Sequence, residues 1–279
     1  MDSNNTATIG NYGDISVVPN SSGDYGIDVS AYDAINVTNG GSIEVAANKY
    51  TAVGIDADSW QGDVDVENTA DGSIEASSTW KYSAGVTAGS VFGDVEVNNA
   101  GSISGASILQ RGFGVTVASS YGDVSVDNSG SISGYSALGQ GTGVYLAAYF
   151  GDAYLYNDGG ISAVSVNNTA IGVLARSYTA EIVNAGTISA DGYNVANGVF
   201  AQGGYSVDVS NSGSIEATTD GLANSISRGV YANSPGAVTV DNSGTIDADA
   251  MARRTWKARA RCWSWASRRV TRTGRSTVA

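Results

Sequence analysis

One phrase recurs along the chain. Residues 122–134 read GDVSVDNSGSISG and residues 93–105 read GDVEVNNAGSISG. Shorter echoes stand at 62–68 (GDVDVEN) and 236–246 (GAVTVDNSGTI). The Ile closing the Asn-x-Gly-Ser/Thr-Ile signature falls at Ile43, Ile74, Ile103, Ile132, Ile161, Ile188, Ile215 and Ile246, with a degenerate first copy at Ile9. The spacing is nearly even: three equal steps lead from Ile74 to Ile161, and two equal, slightly shorter ones lead on to Ile215. A second anchor is Gly followed by Val or Ile. It keeps a constant offset from the Ile in five consecutive copies (Gly54, Gly85, Gly114, Gly143, Gly172) and drifts only at Gly198 and Gly229. Self-similarity at a fixed period of this length marks a repeat architecture.

Each unit holds three short runs in which β-branched residues alternate with small or polar ones. In one copy they are GVTVAS (114–119), DVSVDN (123–128) and GSISG (130–134). A period of two gives a strand with one buried face. Gly, Asn, Asp and Ser separate the runs, as turns require. The chain before position 250 shows no sustained apolar stripe at helical spacing. The pattern predicts an all-β fold: a right-handed, single-stranded parallel β-helix with three short strands per coil and about 8–9 coils of about 29 residues. A Greek-key sandwich does not predict such even spacing. Equivalent side chains of successive coils would stack about 4.8 Å apart. The Ile103, Ile132, Ile161, Ile188, Ile215 and Ile246 column and the paired Val columns would then fill the interior. Asn99, Asn128, Asn157, Asn184, Asn211 and Asn242 precede the same turn, as do Asn39 and Asn68. A buried amide needs partners, and a stacked Asn finds them above, below and in its own corner. The expectation is a structural ladder rather than a ligand site.

Charge divides the chain. All 27 acidic residues lie before position 250, against five basic ones, so this body carries −22. The other nine basic residues fall between Arg253 and Arg275 and leave residues 251–279 at +9. Two regions are expected: a repeat domain over 1–250 and a basic, disordered or frameshifted tail over 251–279. The tail holds three of the five Trp and the only Cys, Cys262. Its codons, read one base out of frame, force Leu at Cys262-Trp263 and Gly at Trp265-Ala266. They also permit Gly-Asp and Val-Asn further on, like another coil of the same repeat. The acidic body repels phosphate backbones, which argues against nucleic acid as a partner. No apolar run is long enough to span a membrane as a helix, and the first residues lack the basic and apolar segments of a signal peptide.

Catalytic chemistry finds little material. The chain has no His, and the body has no Cys and only five scattered bases, so neither a triad nor a Cys nucleophile is available there. The densest acid group is Asp56, Asp58, Asp63, Asp65 and Glu67. It reads as a solvated face, with a weak cation site as the alternative. A Gly-Asp column at Asp63, Asp94, Asp123 and Asp152 reads as turn capping, with calcium bridging as its alternative. Beside it stand Trp60, Phe92, Tyr121 and Phe150, which would cover the corner or present a platform for a sugar ring. No catalytic residue, metal or cofactor is expected.

The repeated NSGSI, NAGTI, NAGSI and GDVxV motifs, in a Gly/Ser/Asn-rich acidic body, resemble the passenger region of bacterial type V autotransporters and filamentous-haemagglutinin-like adhesins. The resemblance covers residues 9–250. It implies an N-terminal signal, export to the cell surface and a C-terminal outer-membrane β-barrel. Neither signal nor barrel is visible here, so the chain is expected to be a fragment that meets a membrane only through a missing barrel. The resemblance also implies a structural stalk or adhesin segment, whose partners would be host or bacterial surface glycans or proteins. None of the matching positions is catalytic in the family. A β-helix polysaccharide-processing enzyme or glycan-binding protein is the alternative.

Overall fold

The computed structural model describes residues 6–19, 23–221 and 225–250. The basic tail therefore lies outside the described residues. Within them every regular element is a strand, and every strand pairing is parallel. The strands fall into series, each rising one turn of a β-solenoid at a time. One series, the Gly ladder, includes Ala52–Ser59, Ser83–Ser90, Gly112–Ser119 and Gly141–Ala148. The Val ladder includes Val64–Asn68, Val95–Asn99 and Val124–Asn128. The Ile ladder is a nine-stranded sheet that runs from Asp14–Val17 to Thr245–Ala250. Partner residues sit one repeat apart, as in Ile103↔Ile132 and Val97↔Val126.

The first copy is not where the sequence motif suggested. Ile9 does not belong to the Ile column; it pairs with Val37 in the Val ladder. Ile15 is the residue that stacks on Ile43, which brings the first interval into line with the later ones. The motif was hidden because its copy here is Asn11-Tyr12-Gly13-Asp14-Ile15, with Asp in the Ser/Thr position. Once Ile15 is the anchor, Gly26 takes the second anchor position at the same offset as in the later copies.

The two anchors meet inside the solenoid. An added Cβ at Gly26, Gly54, Gly85 or Gly114 would lie 2.4, 2.3, 2.4 and 2.4 Å from the Cγ2 of Ile43, Ile74, Ile103 and Ile132 respectively. Each Gly thus leaves a hollow for the Ile of its own turn. The Ile side chains are almost wholly buried, and full burial of one such side chain contributes roughly 1.5–3 kcal/mol. Val64, Val66, Val95, Val97, Val124 and Val126 complete one contiguous core. The last described turn differs. Ile246 and Asn242 are exposed, because no described residue stacks beyond them.

The two shorter intervals, from Ile161 to Ile215, also alter the path. In those turns the corner between the Gly and Val series closes up. Thr169–Asn184 and Val195–Asn211 each run through both series as one long strand, with a register irregularity between Ser177 and Thr179.

Candidate functional site

Inward polar side chains line the corners of the turn, and each corner closes in its own way. Between the Val and Ile series, Asn Nδ2 donates to the Oδ1 of the Asn in the next turn. The chain of amides runs from Asn11 through Asn39, Asn68, Asn99, Asn128, Asn157, Asn184 and Asn211 to Asn242. The distances are 2.7–2.8 Å throughout. Most of these Nδ2 groups also donate to a corner carbonyl, as Asn99 does to Gly101 and Ser131. The buried amides are thereby satisfied, which removes the penalty that burial would otherwise impose.

The remaining corners use serine. Ser90 Oγ donates to the Gly62 carbonyl and accepts the Gly93 N–H; Ser119 does the same with Gly93 and Gly122. In a separate column, Ser107 joins Lys81 and Gln110, and Ser165 joins Gly139 and Asn168. Sequence reasoning missed these columns. Serine is common all along the chain, so the buried ones do not stand out by residue type.

The Gly-Asp column lies outside the corner held by Ser90 and Ser119. The carboxylate of each Asp accepts the backbone N–H of a residue in the next turn: Asp63 from Asp94, Asp94 from Asp123, Asp123 from Asp152, and Asp152 from Thr179, at 2.8–2.9 Å. The preceding glycines allow close passage of the chain, since a Cβ on Gly93 would meet the Gly62 carbonyl oxygen at 2.2 Å. These carboxylates cap amides one turn away.

The acid group separates onto different faces. Asp56 and Asp58 point outward from the Gly ladder, next to Asp28, which pairs in register with Asp56. Burial, then Asp58 and Asp28, pushes Asp56 up to about 6. Burial, then Asp28, also raises Asp58. Asp65 and Glu67 belong to the Val ladder, where burial, then Glu96 and Glu67, raises Asp65. Asp63 sits at the corner already described. Among the described residues, no group of three or more His, Cys, Asp or Glu side chains is placed to hold a metal ion. No helix of the described residues is long and apolar enough to cross a membrane.

Of the four corner aromatics, three form a true stack. Phe92 and Tyr121 lie 5.1 Å apart and 8° from parallel, and Tyr121 and Phe150 lie 5.1 Å apart at 17°. Tyr121 is therefore covered by a ring on both faces. Trp60 meets Phe92 at 74°, edge to face. The cause is register: backbone bonds Val91 N–H to Ser59 O and Tyr121 N–H to Val91 O set Trp60 one position before the stacked column. Tyr149, adjacent to Phe150, meets it at 88°.

Trp60 and Tyr149 line an open groove of about 900 Å³ along the outer face of the Gly ladder. Its floor includes the outward column Asp58, Gly89, Ala118, Ala147 and Arg176, which are successive register partners. The small residues keep the floor low, and Tyr145 stands across that floor from Trp60 and Tyr149. No protein-family model matches this chain, and no curated protein or solved structure matches it at a significant level.

Proposed function

We propose that this chain is a right-handed β-helix of three strands per turn that serves as a surface-exposed, non-catalytic stalk or adhesive segment of a type V-secreted protein. The observation that carries the reading is the unbroken amide ladder from Asn11 to Asn242. It fastens turn to turn along the whole described solenoid and suits a rod that must hold its length outside the cell. The preference of parallel-strand crossovers for the right-handed sense supports that handedness. Only solenoid geometry and repeat motifs enter the comparison with passenger regions, so a signal and a barrel belong to the proposal. In the organism that carries the gene, antibodies against the purified chain are expected to label intact cells. Labelling that requires permeabilised cells overturns the reading. The purified chain is also expected to release no reducing ends from neutral or acidic polysaccharides; sustained release overturns the non-catalytic part.

A further inference from the structure

We propose that the groove on the Gly ladder binds a linear, uncharged glycan laid parallel to the solenoid axis, with Trp60 and Tyr149 as its stacking residues. The argument starts from ring faces. A sugar packs its C–H face on an aromatic face, and ligand sites of this kind join such surfaces to a few convergent polar groups. Phe92, Tyr121 and Phe150 have turned faces toward one another. Among the described residues, Trp60 and Tyr149 pair with other rings only edge to face, so each keeps a face clear of them. They are 54% and 79% exposed respectively. Backbone bonds through Ser59, Ser90 and Ser119 put them in one column three turns apart. At about 4.8 Å per turn that separation is about 14 Å, the reach of a short run of sugar rings.

The groove has the shape and ends such a ligand needs. Gly89, Ala118 and Ala147 form a shallow floor between a carboxyl at Asp58 and a guanidinium at Arg176. At Gly89 the floor comes close to the Asp58 carboxylate: an added Cβ would lie 2.6 Å from its Oδ1. Hydroxyls of a sugar chain can donate to the first group and accept from the second. An extended peptide finds no matching offer: the floor strands are paired on both sides, so no free backbone edge lines the groove. The body charge of −22 disfavours polyuronates and other polyanions.

Titration calorimetry of the full chain tests this with cellohexaose, xylohexaose, mannohexaose and maltohexaose, and with hexagalacturonate as the charged comparison. At least one neutral hexasaccharide is expected to bind, at least tenfold more tightly than its disaccharide. Trp60→Ala and Tyr149→Ala should each weaken that binding tenfold or more. Phe200→Ala, in the ring pair with Tyr231 on the same ladder but outside the groove, should leave it within twofold. Melting curves confirm that each variant is folded. The proposal is overturned if no neutral hexasaccharide binds, if hexagalacturonate alone binds, or if the Trp60 and Tyr149 variants bind like the parent chain. Surface labelling of cells does not depend on these outcomes, so this proposal and the stalk reading can fail separately.

Discussion

A methyl group on Gly114 would meet Ile132 Cγ2 at 2.4 Å and the Gly143 carbonyl oxygen at 2.6 Å. One of those neighbours is packed core and the other is backbone, so neither yields freely. Gly114→Ala is expected to lower stability by about 1–3 kcal/mol in a urea titration, the usual range for overpacking. Gly13, where an added Cβ has nothing within 4 Å, is the comparison; Gly13→Ala should stay within about 0.5 kcal/mol. Equal effects at both sites would disprove the lock between Gly and Ile columns. At this scale the sequence shows the spacing of both anchors but not why they are paired. Gly114 and Ile132 are separated by the whole of an intervening strand, Val124–Asn128, and only the closed turn sets them face to face. Asn11 and Ile15 were passed over for a simpler reason: Asp14 replaces the Ser or Thr that flags the other copies.

The strand Ala52–Ser59 shows what a repeat does with charge. Its inward positions follow the core pattern, while Asp56 and Asp58 share the outer face with Asp28 on the turn before. Asp56 is held up to about 6, above the usual carboxylate range. An acid raised in the fold binds its proton more tightly folded than unfolded, so its ionisation opposes folding. Its contribution makes stability fall as pH rises from about 4 toward 6. Acidification from pH 7 to pH 5 is therefore expected to raise Tm, and Asp56→Asn should raise Tm at pH 7 and reduce the slope. A Tm that falls over that interval in the parent chain would refute the account. The parallel ladders were legible at the scale of elements, because period-two runs and even spacing leave few alternatives. The merging of two series in Thr169–Asn184 and Val195–Asn211 was not. The shortened spans from Gly172 to Asn184 and from Gly198 to Asn211 could be read from the anchors, but that the two strands then join without a break depends on how the backbone bends there. The groove was hidden too: Trp60 looked equivalent to Phe92, and a shift of one position in register separates their roles.

The whole solenoid gains its stability from neighbouring turns, each touching only the turns beside it. Amides of the turns between Ala52 and Thr219, stacked on both sides, are expected to exchange slowest with solvent. Amides from Ala237 to Ala250, with described neighbours on one side only, should exchange at least tenfold faster. Uniform protection across both regions would contradict nearest-neighbour stabilisation. The amide ladder adds something that packing alone does not. Every ladder Asn from Asn11 to Asn211 donates toward the higher-numbered turn, and each ladder Asn from Asn39 onward accepts from the lower. An upside-down turn would bring donor against donor or acceptor against acceptor. The rod consequently has a grammar of addition: a new turn, from this chain or another copy, joins only in the orientation of those already laid down, as a word can be appended to a line but not spelled backward into it.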